Sequence, residues 1–286
     1  MNPISRVTAL STGSVRIRPE HVGPTKKNLY VWLATSRSWT APRPINTYVV
    51  EHRDGLVLFD TGQDRASVTD ADYFPGGVNG VIYDRLAKFE IGPEQTLTRL
   101  LAANGYDIRD VHTAVLSHLH QDHIGGLPEL AGARIVISEA EWRSMDRPLA
   151  AARGYLRRHI ELPGLRWELI RPEPLGDPGL TPFTAGHDLF GDGSLVLLPT
   201  PGHTPGSLSM LVRRPGEPPL LLVGDLTYDA DLLAAGHIPG VGTRPDLRRA
   251  VAQVNELRAQ QPGLVVLAAH DPAAAGRLAE VQVGRT

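Results

Sequence analysis

The chain has 286 residues, 42% of them apolar, and a formal net charge of −2. A near-neutral balance gives no basic stripe for nucleic acid and no polybasic patch for an anionic membrane. There is no cysteine, which excludes disulfides and thiolate metal ligands.

Met1 to Leu10 has neither the apolar h-region nor the cleavage pattern of a secretory signal. No apolar run approaches a membrane span, so a soluble cytoplasmic protein without membrane contact is expected. Ser14 to Arg18 and Leu29 to Ala34 read as strands. Around them Pro19, Pro24, Pro42 and Pro44, with Tyr30, Trp32 and Trp39, make a loop-rich rim. Asn46 to Glu51 and Leu56 to Phe59 read as a hairpin turning at Arg53-Asp54-Gly55. The second strand ends in Asp60-Thr61-Gly62. Residues 66–91 look irregular, with a turn at Tyr73-Phe74-Pro75-Gly76-Gly77, and so long a segment is usually functional or an interaction element. Pro93, then Leu97, Leu100 and Leu101 on one face, then Gly105 spell a helix with its start and stop.

Residues 113–117 read as a buried strand. It runs into Ser117-His118-Leu119-His120-Gln121-Asp122-His123-Ile124-Gly125-Gly126. His118 and His120 are two apart and near a strand end can point the same way. Asp122 and His123 follow where the chain turns, and the paired glycines permit a tight turn. Imidazole and carboxylate without thiol suit Zn²⁺, and also Fe²⁺, Co²⁺ or Mn²⁺. Arg134 to Ser138 is a further strand, and Glu139 to Met145 a helix.

Residues 147–190 carry little periodicity beyond a helix around Ala150 to His159. His159 and His187 read as exposed and have no ligand spacing. Leu195 to Leu198 is a strand ending in Thr200-Pro201-Gly202-His203-Thr204-Pro205-Gly206. Strands at 207–212 and 220–223 follow, the latter running into Gly224-Asp225-Leu226-Thr227-Tyr228. Asp246 can cap a helix that shares Leu247, Ala250, Val251, Val254 and Leu257 on one face. The chain closes with a strand at Leu264 to Ala268, then His270-Asp271 and a short helix. Strands thus end at Asp60, His118, His203, Asp225 and His270, each with a polar group suited to a metal or to its support.

The His-x-His-x-Asp-His segment resembles the signature of the metallo-β-lactamase superfamily, and the resemblance extends over about residues 45–275. It implies an α/β fold, the four-layer αββα sandwich. The whole chain, 1–286, is then one hydrolase domain with an extended loop at 66–91 and a variable insertion at 147–190. Carried over by position, His118, His120 and His203 bind one divalent metal ion; Asp122, His123 and His270 bind a second; Asp225 bridges them. The Asp of Asp60-Thr61-Gly62 would support a metal-binding histidine from behind.

Within the superfamily, the His motif, Thr200-Pro201-Gly202-His203 and Tyr228, three residues after Asp225, are similar to the N-acyl homoserine lactone lactonases. That resemblance implies a dinuclear, quorum-quenching lactonase, most simply with two Zn²⁺, in which Asp122, Asp225 and Tyr228 are catalytic. A phenol at Tyr228 can donate to the ester oxygen as it becomes an oxyanion, or to the leaving alkoxide. The apolar and aromatic content of 66–91 fits an arm reaching a second subunit, hence a homodimer. The alternatives are a glyoxalase-II-like thioesterase, an organophosphate hydrolase, a β-lactamase, and a binding protein that keeps the fold without the reaction.

Overall fold

The computed structural model describes residues 2–282. One sheet contains β1 (Ile4–Ile17), β2 (Arg43–His52), β3 (Gly55–Phe59), β4 (Ala87–Glu90), β5 (Val111–Val115), β6 (Arg134–Ser138) and β7 (Arg166–Ile170). Its order is β4-β1-β2-β3-β5-β6-β7. The other contains β8 (Glu173–Pro174), β9 (Ala185–Asp188), β10 (Leu195–Pro199), β11 (Leu208–Val212), β12 (Leu220–Leu222) and β13 (Val265–Leu267). Its order is β13-β12-β11-β10-β9-β8.

Side-chain parity explains why the sheets stack. Tyr48, Val50, Val57, Phe59, Val115 and Val136 leave one face of the first sheet. They meet Leu195, Leu197, Leu208, Met210, Leu220 and Leu222 from the second. The alternate residues leave the other faces. Val49, Leu58, Ala114, Ile135 and Ile137 pack on Leu97 and Leu101 of the helix Leu97–Ala103. Val196, Leu198, Leu211, Leu221 and Val266 pack on Leu247, Ala250, Val251, Val254 and Leu257 of the helix Arg244–Gln260. Both parities are apolar because both faces of each sheet are covered. The result is the four-layer αββα sandwich.

The same topology gathers the strand ends. β3 and β5 run parallel, so Asp60 and Ser117-His118 emerge at one edge. β10 is antiparallel to β11, and β11 to β12, so β10 and β12 point the same way, and β13 is parallel to β12. His203, Asp225 and His270 therefore emerge together from the second sheet.

Six expectations need correction. Leu29 to Ala34 is a helix, Leu29–Thr35, not a strand: the Asn28 carboxamide accepts from the Val31 amide at 2.9 Å, an N-cap that the apolar run concealed. The 66–91 segment is not an extended loop. It holds the helix Gly77–Leu86 and then β4, which pairs with β1 at the sheet edge. Residues 147–190 are not a separable insertion, because β7 extends the first sheet and β8 and β9 extend the second. The helix expected there is split at Gly154, whose φ of +97° ends a short turn before Arg157–Ile160. His159 is half-buried, stacked on Tyr73 with ring centroids 4.2 Å apart. Asp246 lies in the first turn of its helix, where it suits the dipole, and Thr243 occupies the cap position.

Candidate metal centre

All seven residues expected as ligands converge at the shared sheet edge. Three overlapping groups bring their ligand atoms within 4.8 Å of one another: His118, His120 and His203; His118, His123 and Asp225; Asp122, His123 and His270. Asp225 faces both sides. Its Oδ1 is 3.3 Å from His123 Nε2 and 3.4 Å from His270 Nε2, and its Oδ2 is 3.5 Å from His203 Nε2. Asp122 Oδ2 is 3.3 Å from His270 Nε2.

The outer nitrogens of four imidazoles are fixed from behind, which decides where their lone pairs point. Asp60 is the hub. Its carboxylate accepts the Ser117 amide at 2.7 Å, the Ser117 hydroxyl at 2.9 Å and His123 Nδ1–H at 2.8 Å. The Ser117 hydroxyl has given its hydrogen to Asp60, so it accepts from His118 Nδ1–H at 2.9 Å. His120 donates through Nε2 to the Arg153 carbonyl, and His270 through Nδ1 to the Pro44 carbonyl, both at 2.9 Å. Each inner nitrogen is thereby aimed at the centre, where it can ligate once it carries no proton.

The surrounding turns permit this approach. Gly224 has φ +53°, and a Cβ there would lie 2.7 Å from the Ser117 side chain. Asp60 itself holds φ +60°, a region Asp tolerates better than most residues but at a cost. On the far side, buried Glu141 accepts the Leu119 amide and the Gly206 amide, each at 3.1 Å, tying the histidine-motif loop to the His203 loop.

His118 Nε2, His123 Nε2 and Asp225 Oδ1 are buried without a hydrogen-bond partner. A group left so costs about 1–3 kcal/mol. Three such atoms facing one small volume, all of ligand type, fit divalent cations.

A family description, "Metallo-beta-lactamase superfamily", matches residues 40–270. The chain belongs to the metallo-β-lactamase superfamily. Among its relatives, the N-acyl homoserine lactonase AttM of Rhizobium johnstonii is 31% identical over 233 residues, 81% of this chain and 83% of that one. A solved N-acyl homoserine lactone hydrolase, with N-hexanoyl-L-homoserine at its catalytic metal centre, superposes with a TM-score of 0.74. It is 20% identical and covers 94% of each chain. The dizinc quorum-quenching lactonase AidC gives a TM-score of 0.59 at 18% identity, covering 95% of this chain and 90% of its own.

Electrostatics in this superfamily member match its ligand chemistry. Burial, with the neighbouring imidazoles, pushes His118 well below the ordinary histidine range. Burial also lowers His203 to about 3, against the pull of Asp225. Both are therefore neutral, the form that ligates. Burial would raise Asp225 and Asp122, but the imidazoles around them prevail and hold both carboxylates low. His123 is the converse: burial opposes its charge, yet Asp60 and Asp225 raise it well above normal. The cluster carries more negative charge than neutral imidazoles can balance, and cations meet that need.

A cleft opens above the cluster. His120, Gln121, Asp122, His203, Asp225 and His270 lie on its floor, and Ile17, Leu29, Phe74, Ile82, Leu86 and Phe89 are among its apolar walls. Tyr228 also lines it, its hydroxyl donating to Asp225 Oδ2 at 2.8 Å and its ring stacked on His270. The 66–91 segment supplies much of this wall. The rim aromatics do not line it. Trp32 is fully buried and donates to the Gly240 carbonyl, Trp39 lies under the Arg18 guanidinium, and Tyr30 faces solvent.

Sequence reasoning missed the Ser117 relay, the Pro44 and Arg153 carbonyls, and Arg43, which donates to the backbone carbonyls of Tyr228 at 2.8 Å and His270 at 3.0 Å. A backbone acceptor has no side-chain signature, so only Ser117, inside the motif, offered any signal.

Proposed function

We propose that this chain is a dinuclear metal-dependent hydrolase that opens the lactone ring of N-acyl homoserine lactones. The observation that carries the reading is the position of Tyr228: its hydroxyl bonds to Asp225 at the polar floor of an otherwise apolar cleft. The similarity to lactonase AttM supports the substrate class.

In this reading His118, His120 and His203 would hold one ion and Asp122, His123 and His270 the other, with Asp225 available to both. When bound, the two ions polarise an ester carbonyl and let a water ionise near neutral pH. The residues of the chain do the rest. Burial and the Asp225 charge raise the Tyr228 phenol well above its usual range, so it stays protonated and remains a donor. It can stabilise the carbonyl oxygen as charge develops there, or meet the ring oxygen as it leaves. Asp122 stays ionised and lines the cleft, so it can take the proton that water loses and return it to the alkoxide. One water is consumed: its oxygen goes to the acyl carbon and its proton to the ring oxygen. The new alcohol stays tethered to the new acid, so no separate leaving-group pocket is needed.

The donor set fits zinc, with Fe²⁺, Co²⁺ and Mn²⁺ as substitutes. The same reading takes 1–286 as one domain working in the cytoplasm as a homodimer. Val78 and Val81, exposed on the helix of the 66–91 segment, support that contact.

The test is a chain-length series of acyl homoserine lactones beside an S-acyl thioester and a phosphotriester. Each buried CH₂ contributes about 0.8 kcal/mol, so kcat/KM should rise from short to longer chains, and homoserine lactone without its acyl group should be poor. Turnover of either comparator more efficient by about two orders of magnitude than every lactone would overturn the reading. Elemental analysis of active protein should find about two transition-metal ions per chain.

A further inference from the structure

His21 belongs neither to the metal cluster nor to the reacting groups, yet it lines the same cleft. It sits on the short helix Pro19–Val22 that follows β1 and is 7% exposed. Its ring meets the Trp32 ring edge-on at 4.9 Å and the Tyr228 ring at 6.0 Å. Its Nδ1 is buried without a hydrogen-bond partner.

The other polar side chains of the cleft, outside the cluster and Tyr228, do not share this condition among the described residues. Gln121 is committed, donating to the Gly154 carbonyl at 3.3 Å and accepting from the Tyr73 hydroxyl at 3.4 Å. Arg153 is exposed. His21 is thus the buried polar group with hydrogen-bonding capacity to spare, and it stands between the polar floor and the apolar wall.

The chemistry of the proposed substrate puts a polar group at that boundary. In an acyl homoserine lactone the amide nitrogen is attached to the carbon next to the ring carbonyl. When the carbonyl is at the floor beside Tyr228, the amide must lie immediately beside it, before the apolar chain begins. Left without a partner in an apolar cleft, an amide would carry an uncompensated desolvation penalty. Burial lowers His21 to about 4, against the pull of Asp225 and of the Arg18 backbone, so the imidazole is neutral and can meet one polar group of the amide.

We propose that His21 is a specificity residue that hydrogen-bonds the acyl amide, so that the enzyme separates acylamino lactones from lactones bearing a plain alkyl chain. This rests on the lactonase reading above. Its contribution is to binding and placement of the substrate, not to bond breaking.

The experiment compares two substrates on each protein: an N-acyl homoserine lactone and a γ-alkyl lactone of similar length. His21→Phe keeps the ring packing against Trp32 and removes both nitrogens. It should lower kcat/KM on the acyl homoserine lactone by about 10- to 100-fold, mainly through KM, and change the alkyl lactone by no more than about twofold. His21→Gln restores a donor and an acceptor and should recover much of the loss. The ratio of the two substrates in one preparation is independent of the fraction folded, so a poorly folding variant still gives an answer. Equal loss on both substrates, or none on either, overturns the assignment while leaving the lactonase reading intact. Wild-type protein that opens neither lactone overturns the lactonase reading itself.

Discussion

Asp60 concentrates the logic of the site in one side chain. It does not line the cleft, yet it sets the tautomers of His118 and His123 through three hydrogen bonds, and it does so at φ +60°. Asp60→Asn can keep that backbone but presents a carboxamide where a carboxylate accepted His123 Nδ1–H. Metal affinity should fall about 10- to 100-fold with the fold retained, as losing a partner behind a ligand typically does. Metal retention after dialysis, read beside circular dichroism, checks this, and unchanged retention would refute it. Tyr228→Phe should behave oppositely, keeping the metal while kcat falls by about 10- to 1,000-fold. A variant with normal kcat and KM would reduce Tyr228 to a wall of the cleft. His118, His203, Asp225 and His270 were legible in the sequence because imidazole and carboxylate are scarce at the ends of apolar strands, and the family resemblance joined them to His120, Asp122 and His123. What stands behind them was not. Two of the four supported imidazoles rest on backbone carbonyls, from Pro44 and Arg153, which any residue could supply.

At the level of elements, legibility followed burial. β3, β6, β10 and β12 are short, apolar and covered on both faces, so their sequences name them and their boundaries shift by a residue or two. The helix Leu29–Thr35 was misread because only Trp32 and Leu33 turn inward, while Tyr30 and Val31 face solvent, and so few residues show no period. β7, β8 and β9 were missed because they continue the far edges of the sheets, where β8 is two exposed residues and β7 is mixed. Loops that join the two halves are the sensitive elements. Gly206 sits so close to the helix Glu139–Ser144 that a Cβ would lie 2.1 Å from the Glu141 amide nitrogen, a backbone atom with little room to move. Gly206→Ala should therefore cost about 1–3 kcal/mol as an overpacked contact. It should also reduce activity, because the loop it displaces carries His203. Urea unfolding measures the first and the lactone assay the second; a variant as stable as wild type would mean that the loop yields freely.

Across the whole molecule, the histidine–aspartate cluster draws ligand-type groups from both sheets. His118, His120, Asp122 and His123 follow β5 of one sheet, while His203, Asp225 and His270 follow β10, β12 and β13 of the other. Ions held by both sets would bind the native chain and not the unfolded one, where the seven residues are scattered. Binding then adds to stability by mass action, about 2.7 kcal/mol when free metal is 100 times its dissociation constant and about 4.1 at 1,000 times. For a domain of this size each kcal/mol moves Tm by about 2–4 °C. Chelation followed by desalting should thus lower Tm by about 5–15 °C, and added Zn²⁺ should restore it. The inter-sheet core supplies the control. Leu197 is fully buried between the sheets within β10, on the core side. Leu197→Ala should cost about 2–5 kcal/mol through the cavity it leaves. Because that loss concerns packing and not ligation, it should lower Tm by a similar amount in the chelated and the metal-loaded protein. Scanning calorimetry on the four samples decides the matter. If chelation leaves Tm where it was, the seven side chains hold together without ions, and the cluster is held by the hydrogen-bond network of Asp60 and Glu141 alone.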